Sequence, residues 1–142
     1  MQLQKVLTDF RGQGKKITKV RSEVVKIISE SSSPISAPKI CEKLQDVGIS
    51  ANKTTVYREL AFLLSEKIIK EVKLTSYVTH YEASDLDHHH HLVCEDCGKV
   101  EEVICNELEN PIGLFVKRIL KNGFEITNHN LEFYGRCANC LN

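Results

Sequence analysis

The sequence predicts an α+β protein built from two small domains, residues 1–82 and 83–142. Three observations predict it: apolar residues with helical spacing over the first 65 residues, β-branched and aromatic runs at 68–81, and two Cys-x-x-Cys pairs farther on. Each half of a 142-residue chain is small enough to need a metal ion or a partner chain for stability.

Four amphipathic helices are predicted in the N-terminal domain. Residues that cap or end helices mark their limits: Gly12, Thr18, Ser36 with Pro38 in the first turn, Gly48, and Asn52. The predicted buried faces are, in chain order, Leu3, Val6, Leu7 and Phe10, then Val20, Val24, Val25 and Ile28, then Ile40, Leu44 and Val47, then Val56, Leu60, Leu63 and Leu64.

Two strand-like runs follow these helices, at 68–74 and 77–81, joined at Thr75 and Ser76. Short helices followed by a strand pair form a winged-helix arrangement, in which the later helix enters the major groove of DNA. Five side chains of that helix suit DNA: Arg58 for guanine or phosphate, Tyr57 for stacking or donation, and Lys53, Thr54 and Thr55 for phosphate oxygens. The alternative is an ordinary surface helix with a half-buried tyrosine.

The zero net charge conceals a basic first half and an acidic second half. Residues 1–75 hold 14 lysines and arginines against 8 acidic residues, and residues 76–142 hold 5 against 11. All six histidines and five of the six cysteines lie in the second part. A basic segment suits a polyanion such as DNA, whereas clustered histidines, cysteines and carboxylates suit cations. Two solvated surfaces of unlike charge are the alternative.

The two cysteine pairs, Cys94 with Cys97 and Cys137 with Cys140, predict a structural zinc site. Two intervening residues let a tight turn direct both sulfurs at one ion, and two such turns complete a tetrahedral four-thiolate shell. A redox function would need only one pair, and a disulfide framework is less expected in a chain read as cytoplasmic, without a signal peptide or membrane span. Cys41 and Cys105 remain, and we expect them to be buried apolar residues.

Four adjacent histidines, His88 to His91, are expected to form two separate metal sites. Successive side chains of a strand point to opposite faces, so His88 pairs with His90, and His89 pairs with His91. The available partners are Glu82, Glu101, Glu102, Glu109, His80 and His129. A solvated polar loop is the alternative.

The rest of the C-terminal domain is predicted to be an α/β layer of three strands and one helix. Val100 and Val103 continue a strand, a helix that ends at Gly123 follows, and a last hairpin or strand pair is expected near the C-terminus. The apolar positions of the helix are Leu108, Ile112, Phe115, Val116, Ile119 and Leu120, and those of the last strands are Phe124, Ile126, Leu131 and Phe133. Such a layer cannot cover its own edge, so we expect a homodimer.

Several motifs in one order resemble the ferric uptake regulator family over residues 14–140. They are Thr55-Val56-Tyr57-Arg58-Glu59-Leu60, Tyr81-Glu82, the four histidines, Leu92-Val93-Cys94-Glu95-Asp96-Cys97-Gly98, and Asn128-His129-Asn130-Leu131-Glu132-Phe133-Tyr134-Gly135. The resemblance implies a dimeric bacterial repressor that binds pseudo-palindromic double-stranded DNA when loaded with iron, manganese, zinc or nickel. One branch of the family senses peroxide.

The resemblance also implies roles for individual residues. Tyr57 and Arg58 match recognition-helix contacts, and Lys16 and Arg21 match basic positions near the start of the domain. Cys94, Cys97, Cys137 and Cys140 match the structural zinc site. The regulatory divalent-metal site matches Glu82, His89 and His91, with Glu102 as a further ligand in the peroxide-sensing branch; the additional site matches His88, His90, Glu109 and His129.

Two departures leave the sensed metal open. Iron and peroxide sensors usually take another histidine from just before the third helix, where this chain has Ser33-Pro34-Ile35-Ser36. Zinc sensors commonly carry a cysteine shortly before the histidine run, where this chain has Ala83 and Ser84. The predicted function is a metal-responsive transcriptional repressor of iron or zinc homeostasis genes. A peroxide sensor, a metal buffer and, least expected, an enzyme are the alternatives.

Overall fold

Two units divide the chain, Met1–Leu86 and Asp87–Asn142. The structure is a computed structural model, and it describes residues 3–74, 78–104, 106–120, 125–127 and 129–141. The mixture of helices and small sheets confirms the α+β prediction.

Helices form most of the first unit: α1 (Leu3–Gly12), α2 (Lys19–Ser29), α3 (Ala37–Asp46) and α4 (Lys53–Ser65). Two predicted caps are confirmed. The Arg21 N–H donates to Thr18 Oγ1 at 3.0 Å, and the Thr55 N–H donates to Asn52 Oδ1 at 2.8 Å. The buried faces meet in one apolar core whose centre is fully enclosed and includes Val24, Val25, Ile40, Leu44, Val56, Leu60 and Leu63. Cys41 is only partly buried against this core.

Val47 is the one apolar position in α3 where the prediction is wrong, because its side chain is 52% exposed. The helix ends at Asp46, one residue before Val47, so the buried apolar stripe ends with Leu44. Gly48 then adopts a φ of +73°, which favours glycine, and the Ile49 N–H donates to the Leu44 carbonyl at 2.9 Å. This reversal directs Val47 away from the core.

An antiparallel sheet completes the first unit. Its strands are β1 (Ile35–Ser36), β2 (Ile69–Val72) and β3 (His80–Ala83), in the order β1-β3-β2. The predicted pair at 68–74 and 77–81 is therefore confirmed as β2 and β3 with shifted limits. The predicted junction at Thr75 and Ser76, and Tyr77 at the predicted start of the second strand, lie outside the described residues. The short β1 was not predicted, because Ser36 was assigned only to the start of α3.

The second unit contains β4 (His90–Cys94), β5 (Val100–Val103), α5 (Asn106–Ile119), β6 (Glu132–Gly135) and α6 (Ala138–Leu141). Its sheet has the order β5-β4-β6, antiparallel between β4 and β5 and parallel between β4 and β6. Of the predicted terminal hairpin or strand pair, the described residues contain one strand, β6, which pairs with β4; residues 125–127 are not in a strand, and residues 121–124 and 128 are not described. Gly123, Phe124 and Cys105 lie outside the described residues.

Few side chains are buried in the described part of the second unit. They are His90, His91, Val93 and Cys94. Phe115, predicted to fill a helix face, is 60% exposed, and the neighbouring Leu114 is 66% exposed. In the single chain, apolar burial therefore contributes little to the stability of this unit.

Candidate metal centres and nucleic-acid interface

Tight turns place the two cysteine pairs at one end of the second sheet. Gly98, with φ of +71°, donates its N–H to the Cys94 carbonyl at 2.9 Å, which folds the first pair into a turn after β4. The parallel register sets Cys94 beside Gly135 of β6, two residues before Cys137. At the start of α6, the Cys140 N–H donates to the Cys137 carbonyl at 2.9 Å. The strand pairing thus brings together two turns that are distant in sequence.

The four sulfurs fit a tetrahedral zinc ion. All lie within 4.8 Å of one another, and the Cys97 and Cys137 Sγ atoms are 3.7 Å apart. Four zinc–sulfur bonds of about 2.3 Å give sulfur–sulfur edges of about 3.8 Å. Arg136 strengthens the arrangement by binding both the Asp96 carboxylate and the Cys140 carbonyl.

Electrostatics also favour a cation at this cluster. The Cys137 backbone N–H donates to Cys94 Sγ at 3.2 Å and, with further backbone donors, lowers the pKa of the Cys94 thiol to about 6. Hydrogen bonds with the Cys137 and Cys97 sulfurs raise the pKa of Cys140 to about 12. The Cys94 sulfur therefore becomes a thiolate readily, whereas the Cys140 sulfur keeps its proton among the neighbouring sulfur atoms. A divalent cation would remove this conflict by binding all four as thiolates.

A second cluster in the same unit joins His88, His90, Glu109 and His129, whose candidate ligand atoms also lie within 4.8 Å of one another. The Glu109 carboxylate is its centre: Nε2 of His90 lies 2.8 Å from Oε1, Nε2 of His88 lies 3.2 Å from Oε1, and Nε2 of His129 lies 3.6 Å from Oε2. The hydrogen bond to His90 lowers the pKa of the Glu109 carboxyl.

Two buried nitrogens of this second cluster, His90 Nδ1 and His129 Nε2, have no hydrogen-bond partner among the described residues. Buried polar atoms are normally satisfied, so these two indicate a missing partner. Three imidazoles and a carboxylate are a ligand set for a divalent cation, which would satisfy His129 Nε2 directly.

The other histidine pair lies apart from the second cluster. The rings of His89 and His91 have centroids 4.9 Å apart, and His89 Nδ1 lies 2.6 Å from the Asp87 carbonyl oxygen. Glu102 of β5 is the register partner of His91, although its side chain is exposed and it belongs to no ligand group in the described chain. The expected separation into two pairs is thus present.

Glu82 lies in β3 of the first unit, where its buried carboxylate accepts from Lys70 Nζ at 2.9 Å. His80, considered above as a substitute ligand, has Nδ1 3.1 Å from the Val78 carbonyl oxygen and joins no ligand group in the described chain.

The first turns of α4 present polar side chains while the opposite face is buried. Lys53, Thr54, Tyr57 and Arg58 are exposed, and Thr55 is half-buried beside its capping residue Asn52. Val56 and Leu60 hold the helix in the core. This helix therefore has the form that major-groove recognition requires.

A sequence model of the ferric uptake regulator family matches residues 12–134. The chain belongs to the ferric uptake regulator family. The ferric uptake regulation protein of Shigella flexneri is 30% identical over 132 residues, which is 92% of this chain and 87% of that protein. The solved ferric uptake regulator of Helicobacter pylori, described as having three functional metal binding sites, aligns with a TM-score of 0.85 and 26% identity over 100% of this chain and 95% of that chain. A zinc uptake regulator in complex with zinc and DNA aligns with a TM-score of 0.62 and 26% identity over 98% of this chain and 92% of that chain.

Membership of the ferric uptake regulator family confirms the predicted fold class, a winged-helix DNA-binding domain followed by a dimerisation domain, and makes the chain a metal-responsive transcriptional regulator. Among the described residues, no helix is long and apolar enough to cross a membrane.

Lys16 and Arg21, the two basic residues predicted near the start of the first domain, differ in exposure. Lys16 is exposed, whereas Arg21 is held inside the first unit by the carboxylate of Glu59. Glu59 is not among the site residues predicted from the sequence. Its position between Val56 and Leu60 is the signal that was available, because a charged residue on a buried helix face requires a partner.

Proposed function

We propose that this regulator is a dimeric repressor of metal-homeostasis genes that binds double-stranded DNA when a divalent cation occupies a regulatory site of Glu82, His89 and His91. The observation that carries the proposal is the division of the four histidines. His88 and His90 are committed to Glu109 and His129, which leaves His89 and His91 as a separate pair. Glu102 is a further candidate ligand for that pair.

The coupling follows from where these ligands lie in the chain. Glu82 belongs to the last strand of the first unit, His89 directly precedes the first strand of the second unit, and His91 lies within that strand. An ion bound by all three would restrain the segment between them. The cation then shifts the population toward the DNA-binding arrangement by the ratio of its affinities for the two arrangements.

The other two ligand sets have supporting roles in this proposal. Zinc at Cys94, Cys97, Cys137 and Cys140 stabilises the second unit, and a divalent cation at His88, His90, Glu109 and His129 stabilises its α5 side. With domain limits of 1–82 and 83–142, the four-cysteine site and the site of His88, His90, Glu109 and His129 both belong wholly to the dimerisation domain.

DNA contacts are assigned to the exposed polar face of the first unit: Lys16, Lys53, Thr55, Tyr57 and Arg58. A homodimer would cover the exposed apolar side chains of the second unit, among them Leu92, Ile104, Leu114, Phe115 and Phe133. Its two-fold symmetry would match a pseudo-palindromic site.

Three alternatives make different demands on the residues. A peroxide sensor requires iron and oxidation-dependent loss of DNA binding. A metal buffer requires no recognition helix, so Tyr57 and Arg58 would be dispensable. An enzyme requires an open metal position with substrate access, which a closed four-thiolate site does not offer.

The test combines metal analysis with DNA selection. The purified chain is loaded in turn with Fe²⁺, Mn²⁺ and Zn²⁺, and duplexes are selected from a random pool. The proposal expects selection of a two-fold symmetric sequence by a dimer, with at least one of these metals required and with the affinity lost on Tyr57→Ala/Arg58→Ala. Selection of no sequence under any metal would contradict it.

A further inference from the structure

Arg21 makes three simultaneous contacts inside the first unit. Its Nε donates to Glu59 Oε2 at 2.7 Å, its Nη1 donates to the Lys16 carbonyl at 2.6 Å, and its Cζ lies 3.7 Å from the ring centroid of Phe62. Only 13% of the Arg21 side chain and 11% of the Glu59 side chain are exposed. The guanidinium is therefore bound on two edges and stacked on one face.

These contacts connect three parts of the unit. Arg21 is in the first turn of α2, Lys16 is in the segment between α1 and α2, and Glu59 and Phe62 belong to α4. A second bridge also reaches α4, since Lys15 pairs with Glu66, the residue that caps the C-terminal end of α4, and lies 5.8 Å from the ring centroid of Phe62. The segment that carries Lys16 is thereby attached to α4 at two points.

Each bridge includes a sequence neighbour of a residue assigned to DNA, since Lys15 precedes Lys16 and Glu59 follows Arg58. The Lys16 carbonyl that accepts from Arg21 belongs to the residue whose side chain is exposed. Contacts to bases tolerate errors of only about 0.5 Å in side-chain placement. The spacing between Lys16 and the start of α4 is therefore set by Arg21 and Glu59.

We propose that Arg21 and Glu59 are positioning residues that hold Lys16 and the recognition helix as one DNA-binding surface, and that Arg21 does not itself contact DNA. This rests on the proposed binding of duplex DNA. A guanidinium that left Glu59 for a phosphate would leave a buried carboxylate without its partner, which is strongly unfavourable. The intact pair carries no net charge, so it also adds nothing to counterion release.

A double-substitution cycle separates positioning from contact. Arg21→Met, Glu59→Leu and the combined variant are measured in the metal-loaded full chain, on the duplex that the parent selects and on a random duplex. Each single substitution leaves one buried charge unpaired, and we expect it to weaken selective binding by about tenfold or more. The combined variant leaves no buried charge unpaired but still lacks the bond to the Lys16 carbonyl, so it should bind the selected duplex more tightly than either single variant and less tightly than the parent, with an unchanged salt slope.

Glu59→Gln and Glu23→Gln form the matched control, because each removes one negative charge from the same unit. Glu23 pairs with Lys26 of its own helix at 3.4 Å and so connects no two elements. Positioning predicts weaker selective binding for Glu59→Gln and not for Glu23→Gln, at equal salt slopes. Melting temperatures are recorded so that affinities are compared only between folded variants.

A direct contact gives the opposite pattern. Arg21→Met would lower the salt slope by about one, the combined variant would stay as weak as Arg21→Met, and Glu59→Gln would bind more tightly by releasing the guanidinium. Any of these results overturns the positioning proposal. A parent that selects no duplex would instead overturn the proposed function on which it rests.

Discussion

Replacing Cys94 by serine should remove one zinc ion and unfold the second unit. In the described part of this unit the buried side chains are His90, His91, Val93 and Cys94, so only Val93 and Cys94 give apolar burial. One fully buried valine-sized side chain contributes about 1.5–3 kcal/mol. A structural zinc ion supplies about 10–16 kcal/mol of apparent binding free energy at pH 7. The ion is therefore expected to outweigh the apolar core of the single chain.

The assay measures zinc per chain by mass spectrometry after dialysis, followed by circular dichroism, thermal melting and sedimentation. Cys41→Ser is the matched control, because that thiol lies in α3 of the first unit, outside the four-cysteine cluster. We expect the control to keep its zinc and its dimer, and the Cys94→Ser chain to keep only the melting transition of the first unit. A Cys94→Ser chain with unchanged zinc content and melting temperature would refute the reasoning.

Three further predictions concern other parts of the chain. Arg58→Ala should reduce the binding free energy by about 1–3 kcal/mol on the selected duplex and by less on random DNA, as measured by fluorescence anisotropy. An equal loss on both duplexes would make Arg58 a phosphate contact. Lys67 has a φ of +57° at the end of α4, so Lys67→Gly should raise the free energy of unfolding by about 0.5–1 kcal/mol in urea titrations, and a decrease would count against strain at this residue. The lowered pKa of the Glu109 carboxyl contributes stability that is present above the pKa of the unfolded chain and is lost as pH falls through the pKa of the folded chain. Glu109→Gln should therefore reduce the acid dependence of unfolding below about pH 5 in the metal-free chain. An identical pH profile would show that the His90 bond is not the cause.

Local patterns in the sequence were sufficient wherever one chain segment decides the structure. Thr18 and Asn52 cap helices as their residue types predict, and alternation along the histidine strand predicts the two pairs. Val47 was misassigned because periodicity continues past the residue at which α3 ends.

Features that depend on pairing between distant segments were less accessible. The parallel pairing of β6 with β4 brings Cys137 to Cys94, but the apolar residues Leu131 and Phe133 do not indicate which strand β6 pairs with. The Arg21–Glu59 pair was missed because basic residues in a DNA-binding domain are first read as DNA contacts. In the folded chain one of them, Arg21, is bound to a carboxylate 38 positions away.

Metal-dependent DNA binding by the parent and by His89→Ala/His91→Ala tests the central claim most directly. Fluorescence anisotropy on the selected duplex is recorded against the concentration of the activating cation, with His80→Ala as a control histidine outside the ligand groups. The account predicts that the parent and the control respond to the cation, and that the double variant remains a zinc-containing dimer but shows no response. A double variant with the metal dependence of the parent would contradict it and would transfer the regulatory role to the site of His88, His90, Glu109 and His129.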